Sequence, residues 1–415
     1  MRRVSTDMPN VDVQYYLRRQ EQGLNDLESK IAGATRLNEL RDDPLAAAHA
    51  VRYDSYLARL ERFEKNTLRA QDHYRIADEY MQQGIAVLQR IRELSVQGAH
   101  GTYAPEDLKY MAREVNELMK ELVAVSNAKD NDGNQLFAGD KAFTEPFRVV
   151  EGTVPNGGES MIVRVEYRGA GANRRTEVTE GAYSLLDMGG GEVFWAENMQ
   201  IFSTFDASNF RVVEPGAFYV DGEEISVGPG DSLPAIVAKI NESAAAVKAY
   251  VDPVTKGIAL EGTNPHLIRL EDRRDSSVLQ DLGLIIHSVD PGSPNWHPSA
   301  RVSGGSAFDM AIRLRDAMYR GDSDFIGSQG IAGIDLALTN LESRLAEMGS
   351  REERVEATWQ RLNKEIPDVA AALSREAGLD FATAATDLGM LDFAHKAALQ
   401  TAAKILPPTL LDFLR

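Results

Sequence analysis

Few residues in this chain are of the types that carry out catalysis or hold metals. Cysteine is absent from all 415 residues, which excludes disulfides, thiolate catalysis and cysteine-ligated zinc or iron–sulfur sites. No two histidines form the His-Glu-x-x-His pattern of zinc peptidases. The histidines are His49, His73, His100, His266, His287, His297 and His395. We interpret His395, which lies on an apolar helical face, as a packed or partly solvated side chain rather than a ligand or a pH switch.

Two short motifs have the composition of ligand-binding loops but not their spacing. In Asp130-Asn131-Asp132-Gly133 the glycine comes too early for a calcium loop and the closing glutamate is missing. Gly189 to Gly191 lack the spacing of a dinucleotide fingerprint and the lysine of a P-loop. The tryptophans, Trp195, Trp296 and Trp359, are expected to anchor cores or interfaces. The sequence therefore predicts a turn at residues 130–133, no catalytic residues, no cofactor and no metal.

Composition limits the partners. The net charge of −18 and the pI near 4.9 disfavour binding to nucleic acid and to anionic membranes, because both need a positive surface. No apolar run is long enough to span a bilayer, and the first residues have no apolar region of a secretory signal. With 43% hydrophobic residues, the chain has enough apolar surface for two or three domains. We expect no nucleic-acid partner and no membrane insertion.

The two ends of the chain carry apolar residues at alternating spacings of three and four, which is the heptad pattern of paired helices. In the N-terminal part this series consists of Leu17, Leu24, Leu27 and Ile31, and again of Leu108, Met111, Val115, Leu118, Leu122 and Val125. In the C-terminal part it consists of Ile334, Leu338, Leu341, Leu345 and Met348, and a further seam consists of Phe381, Ala384, Leu388, Leu391, His395, Ala398, Ala402 and Ile405. Because no such pattern runs through the middle of the chain, we expect the two ends to fold back and meet.

Start and stop signals divide the helical parts. Asp43 can cap free backbone N–H groups and Pro44 suits the first helical position. Pro105 is followed by two acidic residues that favour the helix dipole. Pro367 is expected to kink or divide the helix that contains it. The predicted helices span about 12–34, 44–98, 105–127, 233–246, 307–319, 331–373 and 381–405.

The middle of the chain is predicted to be rich in β-structure. Short runs with β-propensity, such as Met161 to Tyr167 and Phe218 to Val227, alternate with clusters of glycine, proline and asparagine between residues 147 and 286. Residues 291–305, dense in proline, serine and glycine, are predicted to be the linker that leaves this region. The fold class predicted from these patterns is α+β. Long N- and C-terminal helices form an antiparallel coiled-coil bundle, and a β-rich central domain is inserted between them.

Both ends carry residues of a known family. Thr35 to Asn38 followed by Asp42-Asp43-Pro44 resembles the motif between the first two helices of bacterial flagellins and their junction relatives. Phe381 to Leu388, together with the apolar tail Leu410 to Arg415, resembles the C-terminal helix of that family. An end this apolar is unusual for a free C-terminus, which is normally polar and frayed. The resemblance therefore implies a helical assembly surface at the ends.

Residues between the two helical ends indicate which branch of the flagellin family the chain resembles. Gln135 to Gly139 followed by Pro146-Phe147 resembles the branch of the flagellin family that joins hook to filament. Phe218 to Ile225, Ile240-Asn241 and Leu282 to Leu284 are similar to a β-repeat of flagellar hook and filament proteins. The flagellin-family resemblance covers both helical ends and part of the middle. Residues 169–208 match nothing known to us.

The resemblance implies a structural subunit of the bacterial flagellum without catalytic activity. Such a subunit would leave the cell through the flagellar type III export apparatus, with an export chaperone, and assemble through its terminal helices into a ring-like layer of copies of itself. Hook-associated protein 1 would lie on the hook side and flagellin on the filament side. It would be extracellular after export, or periplasmic if the host is a spirochaete. Two alternatives remain: a flagellin-type filament subunit, and a surface-exposed glycan- or host-binding β-domain on a helical stalk.

The predicted domains follow from these elements. Residues 1–43 form an N-terminal assembly helix, 44–136 and 303–374 form the two parts of a helical bundle, 137–302 form the inserted β-rich outer domain, and 375–415 form the C-terminal assembly helix. Burying a large apolar side chain contributes roughly 1.5 to 3 kcal/mol, whereas ordering each residue costs about 1 to 2 kcal/mol. An isolated helix with one apolar side chain every three or four residues cannot offset this cost. We therefore expect both terminal segments to be disordered in the free monomer and ordered by neighbouring subunits.

The residues predicted to contact neighbouring subunits come from the terminal segments. Arg36 and Asp42 are candidates for ion pairs between subunits, although exposed pairs contribute only about 0 to 1 kcal/mol. Asp43 and Pro44 are interpreted as a helix cap. The apolar candidates are Leu17, Leu24, Leu27, Ile31, Leu388, Leu391, Leu399, Leu410, Leu411, Phe413 and Leu414.

Overall fold

A computed structural model describes residues 8–37, 43–101, 103–154, 160–170, 173–286 and 295–405. Its helices are α1 (Met8–Gly33), α2 (Pro44–Ala99), α3 (Pro105–Ser126), α4 (Gly190–Val193), α5 (Leu233–Glu242), α6 (Val278–Asp281), α7 (Ala307–Arg320), α8 (Ser323–Phe325), a π-helical turn (Ile326–Gly330), α9 (Ile331–Ala377) and α10 (Phe381–Ile405). Its strands are β1 (Phe147–Thr153), β2 (Ser160–Tyr167), β3 (Arg175–Thr179), β4 (Ala182–Leu185), β5 (Gln200–Ser203), β6 (Gly216–Val220), β7 (Glu223–Val227), β8 (Val247–Val251), β9 (Ile258–Gly262), β10 (Leu270–Asp272) and β11 (Ala300–Ser303). The predicted fold class is confirmed: long helices lie at both ends of the chain, and the centre consists of small antiparallel sheets.

The chain packs as two compact units. One, here called the terminal unit, comprises Met1–Lys65 with Trp359–Arg415, and the other, the central unit, comprises Asn66–Thr358. The divisions fall inside α2 and α9, whereas the sequence analysis placed domain boundaries at 43/44 and 374/375. Those five predicted segments, and the disorder predicted for the terminal ones, stay predictions.

The first core of the central unit combines helices with the β1–β2 hairpin. Buried side chains from α2, α3, α7 and α9 meet those of the hairpin in one cluster. The helix ends follow from local chemistry. Ser306 and Asp309 form a reciprocal capping box at the start of α7, and Gly321 ends that helix in a left-handed conformation with φ of 71°. In the second half of α7, Arg315 is fully buried and donates hydrogen bonds to Asn116 Oδ1 at 2.9 Å and to the Ile162 carbonyl. This residue therefore ties α7 to α3 and β2.

The second core of the central unit is built from β-structure. Two sheets, with strand orders β10-β6-β7 and β11-β5-β9-β8, pack with α5 and α6 around it. The tight turn between β6 and β7 is made by Asp221 and Gly222, which both have positive φ, 52° and 87°. That conformation favours Asn, Asp or Gly and matches the twist of a hairpin. The predicted β-rich segment 137–302 therefore contributes to two cores, one shared with the helices and one of its own.

Two local predictions need correction, and a third is narrowed. The helix predicted over 233–246 ends at Glu242, because Ser243 donates through its hydroxyl to the Ile240 carbonyl and Val247 begins β8. The predicted linker 291–305 contains strand β11, which pairs with β5; residues 287–294 lie outside the described residues. At Pro367, where a kink or a division was predicted, the helix is not divided and continues to Ala377; the kink stays a prediction.

Candidate assembly interface

Helices α1 and α10 pack against each other and run antiparallel. Their adjoining ends are joined by backbone hydrogen bonds, since Arg36 N donates to the Ala377 carbonyl at 2.8 Å and Thr35 forms an antiparallel bridge with Gly378. Ala34, the first residue after α1, has a positive φ of 52°. The predicted meeting of the two ends is therefore present in the described residues.

The segment after α1 supplies the start of α2. Asp43 accepts a hydrogen bond from the backbone of Ala46 at 3.0 Å, which is the cap that the sequence predicts. That bond, with the guanidinium of Arg36, holds the pKa of Asp43 below its ordinary value. Arg36 lies 3.4 Å from Asp43 and donates to the Glu376 carbonyl at 3.0 Å. Arg36 thus links the end of α9 to the segment that connects α1 and α2. Its predicted ion pair between subunits stays a prediction. Asp42 lies outside the described residues.

The helical faces that meet are only partly covered. Leu17, Leu24, Leu27 and Ile31 on α1 are each half-buried, and no described side chain of α1 is fully buried. On α10, Leu388 and Leu391 are half-buried, whereas the smaller Ala384 and Ala402 are buried. One partner helix therefore covers the middle of the apolar seam but leaves its edges in contact with solvent.

A second apolar face lies on the other side of α10. Met390 and Phe393 are 64% and 77% exposed, and at 100° per residue they lie on the face opposite to Leu388 and Leu391. Leu399 is 47% exposed and lies beside the covered seam. On α1, Tyr15 and Tyr16 are exposed and contact each other edge to face at 5.7 Å. These apolar surfaces have no cover within the described residues of the chain.

The structure places the predicted interface residues in three groups. Leu17, Leu24, Leu27, Ile31, Leu388 and Leu391 line the α1–α10 seam, and Leu399 flanks it. Leu410, Leu411, Phe413 and Leu414 lie outside the described residues. The sequence analysis missed Tyr15, Tyr16, Met390 and Phe393. A second helical period in α10, Met390, Phe393 and Ala397, could have revealed the outer face, since it repeats every three to four residues opposite the main seam.

The motif that resembles the junction branch is part of the first core of the central unit. The rings of Phe137 and Phe194 pack edge to face, with their centroids 5.2 Å apart. The centroid of the Phe147 ring lies 5.5, 5.2 and 5.0 Å from those of Phe194, Phe308 and Tyr167. The Phe137 carbonyl accepts hydrogen bonds from the Tyr167 hydroxyl at 2.9 Å and from Gly190 N at 2.8 Å. The two parts of the motif, 135–139 and 146–147, therefore meet in one aromatic cluster.

The two loop-like motifs have structural roles. Asp130 accepts from the backbone of Asp132 and Asn134 at 2.9 and 2.8 Å, which makes the predicted turn. A Cβ on Gly190 would lie 2.6 Å from the ring of Phe147, so this glycine permits close packing of the aromatic cluster. Among the described residues, no group of three or more acidic or histidine side chains could hold a metal ion, and no helix is long and apolar enough to cross a membrane.

Two family models match the ends of the chain. The bacterial flagellin N-terminal helical region matches residues 4–142, and the bacterial flagellin C-terminal helical region matches residues 331–414. Together they span more than half of the 415 residues.

Curated relatives agree with these models. Flagellin of Listeria monocytogenes is 28% identical over 134 residues, which make up 32% of this chain and 47% of that protein. This chain thus spans about half the length of the first curated relatives that it matches. Flagellin A of Vibrio anguillarum is 22% identical over 426 residues and covers 99% of both chains. The flagellar filament 33 kDa core protein of Treponema phagedenis is 31% identical over 110 residues, 26% of this chain and 38% of its own.

Solved structures give a weaker likeness. Flagellar hook-associated protein 3 of Legionella pneumophila matches with a TM-score of 0.44 and 18% identity, covering 78% of this chain and 97% of its own. A putative flagellar hook-associated protein of Vibrio parahaemolyticus matches with a TM-score of 0.47 and 12% identity, covering 81% and 100%. With both helical ends matched by the flagellin models, this chain belongs to the bacterial flagellin family of structural, non-enzymatic flagellar proteins.

Proposed function

We propose that this chain forms the junction layer between hook and filament of the bacterial flagellum and assembles through α1 and α10. The observation that carries the assembly role is the double-faced α10. One apolar face is half-covered by α1, and the opposite face, with Met390 and Phe393, has no cover within the described residues. Exposed apolar stripes of this kind mark interaction surfaces. Neighbouring subunits of the same kind would complete the packing.

The junction role in particular is supported by the motif at 135–139 and 146–147. These residues resemble the junction branch of the family, and both parts of the motif meet in one aromatic cluster. The second candidate is a filament subunit, which is favoured by the alignment of the whole chain with Vibrio anguillarum flagellin A. The two roles differ in what the chain does alone: a filament subunit polymerises without a limit in length, whereas a junction subunit stops at a thin layer.

The partners follow from the junction role. The chain would contact copies of itself within a layer, hook-associated protein 1 on one side and flagellin on the other, after delivery by the type III export apparatus and its chaperone. It would lie outside the cell, or in the periplasm if the host is a spirochaete.

A deletion strain separates the two candidates. Loss of a junction subunit leaves hooks without stable filaments, while flagellin accumulates in the medium. The measurement combines electron microscopy of the cell surface with immunoblots of the medium. Long polymers formed by the purified chain alone would overturn the junction role and support the filament role.

A surface variant tests the assembly face. The double substitution Met390→Gln and Phe393→Gln is expected to leave export intact and abolish restoration of filaments in the deletion strain. Both side chains already contact solvent, so the fold of the monomer should be retained. The matched control is Val213→Gln with Val254→Gln, two valines of the central unit that are each 85% exposed. Normal filaments with the helix variant would contradict assembly through this face.

A further inference from the structure

Residues from both cores of the central unit line an open cavity of about 230 Å³. Its walls come from the end of β2, the start of α4, the β6–β7 turn, the segment between α5 and β8, and the loop between β9 and β10. An engineered cavity of about 150 Å³ in another protein is large enough to bind benzene, whereas sites for drug-sized ligands begin at about 300 Å³. The cavity therefore has room for one small molecule.

Arg269 is a cation in the cavity wall that lacks a counter-ion. Its Nη2 donates to the Gly169 carbonyl, and its Cζ lies 5.3 Å from the centre of the Tyr167 ring. Within the described part of the chain, the guanidinium makes no further hydrogen bond and no ion pair. Burial lowers the pKa of Arg269 from its ordinary value, as expected for a cation that is shielded from water without a paired carboxylate. The remaining N–H groups of this side chain can donate to a ligand in the cavity.

The nearby carboxylate of Asp221 is engaged by His266. The Nε2 atom of His266 lies 2.9 Å from Asp221 Oδ2, and its Nδ1 atom lies 2.8 Å from the Asn264 carbonyl. Because both neighbours are acceptors, the arrangement favours a protonated ring that donates on both sides. Burial opposes this protonation, but the hydrogen bond and charge of Asp221 raise the pKa of His266. Asp221 and His266 thus neutralise each other, and the charge of Arg269 stays unbalanced.

The cavity also has acceptors that a ligand could use. Asn264 Oδ1 is shielded from solvent and accepts no hydrogen bond from any described residue, a state that is destabilising. The carboxylates of Glu192 and Glu223 also line the cavity, and both reach solvent at its opening. The cavity therefore combines one shielded cationic donor with an unused amide oxygen and two carboxylates.

We propose that this cavity binds a small zwitterion of the α-amino-acid type. The ligand carboxylate pairs with the guanidinium of Arg269, which is suited to bidentate binding of a carboxylate. The ligand ammonium group donates to Asn264 Oδ1 and is attracted by Glu192 and Glu223. The two carboxylates repel a simple anion, and the guanidinium repels a simple amine. A neutral sugar leaves the charge of Arg269 unbalanced. This site does not depend on the junction role, because all its residues belong to the central unit.

Calorimetric titration of the full chain tests the proposal. The probes are the standard amino acids and glucose, each at up to about 10 mM. We expect at least one amino acid to bind in a ratio of one to one with a Kd of about 1 mM or below, which is reasonable for a ligand of about ten non-hydrogen atoms. Its N-acetyl derivative and its amide, which each lack one of the two charges, should bind at least about tenfold more weakly. Failure of every amino acid to bind would overturn the proposal, and so would equal binding of the N-acetyl derivative or binding of glucose alone.

Two pairs of variants locate the site. Glu223→Gln should weaken binding about threefold, whereas Glu224→Gln, at an exposed neighbour outside the cavity wall, should leave it unchanged. Ala244→Phe, at an exposed alanine of the wall, should abolish binding by filling the opening, and Ala182→Phe, at an exposed alanine elsewhere, is its control. All four side chains contact solvent, so the fold should be retained, which thermal unfolding checks. Unchanged binding in a folded Ala244→Phe variant would overturn the assignment to this cavity.

Discussion

The α1–α10 pair of the terminal unit and the helical core of the central unit carry the same heptad pattern but bury it to different degrees. In α3, the seam residues Val115 and Leu122 are completely buried, because helices and the β1–β2 hairpin surround them. In α1, the corresponding leucines are half-buried, because one helix covers them. The heptad pattern thus specifies which face of a helix is apolar. The number of elements packed around the helix decides whether that face is fully buried within the chain. This difference in coverage is the basis for the proposal that the ends are completed by neighbouring subunits.

The largest effect is expected in the aromatic cluster of the central unit. Phe194→Ala should lower the free energy of unfolding by about 3 to 5 kcal/mol, since it removes a buried ring that contacts Phe137, Phe147 and Phe308. Denaturant unfolding measures this change. The matched control is Phe143→Ala, at a ring that is 89% exposed, with an expected change within about 0.5 kcal/mol. Equal decreases in unfolding free energy for the two variants would contradict the expected difference between buried and exposed apolar side chains.

An intermediate effect is expected at a buried carboxyl group of the central unit. Asp272 accepts hydrogen bonds from the backbone of Leu279 and Gln280 at 3.0 and 3.2 Å, and burial raises its pKa to about 6. Because the folded state then binds a proton more tightly than the unfolded state, the contribution of Asp272 to stability is fully present below about pH 4 and is lost as the pH rises through 6. In the natural chain this lowers the free energy of unfolding by roughly 2 kcal/mol between about pH 4 and pH 6, and Asp272→Asn should abolish that decrease.

The exposed neighbour Glu271 supplies the control for that titration. Glu271→Gln should leave the difference in unfolding free energy between pH 4 and pH 6.5 as it is in the natural chain. The measurement is urea unfolding at several pH values. A pH profile that is the same for Asp272→Asn and for the natural chain would show that another group titrates.

The smallest effect on the monomer is expected in the terminal pair. Leu391→Ala should change the free energy of unfolding of the free chain by no more than about 0.5 kcal/mol, because its helix is predicted to be disordered there. Leu88→Ala, at a fully buried leucine of the central unit, should cost about 2 to 5 kcal/mol. Amide hydrogen exchange on the free chain measures both values. If α1 and α10 in the free chain exchanged as slowly as α3, the predicted disorder of the ends would be wrong.

Periodicity predicted the helices well, since an apolar stripe and its caps are local properties. Helices α2, α3, α7 and α10 begin at the predicted residues, where Pro44, Pro105 or the Ser306 cap makes the first turn favourable. At Pro367 the helix continues. Ile366 and Val369 pack against the cluster of Leu60, Phe63 and Leu362, and these contacts hold the helix together on both sides of the proline.

The β-rich centre could be predicted as a class but not as an arrangement. The turn residues at Asp221 and Gly222 indicate a hairpin, but the pairing of β11 with β5 joins residues about a hundred positions apart. Residues 169–208 matched no family pattern, and they contribute Phe194 and Gly190 to the aromatic cluster. Contacts of this range depend on which surfaces meet in space, and local propensity carries no information about them.

The sequence by itself determined that the two ends are amphipathic helices, that they pair, and that the chain is a flagellin-like structural subunit without the residues for catalysis. Only the tertiary structure decided how far each apolar face is covered. It showed a second apolar face of α10, around the exposed ring of Phe393, that no described residue covers. The physical reason is that periodicity depends on neighbours within one helix, whereas burial depends on every element that packs against it.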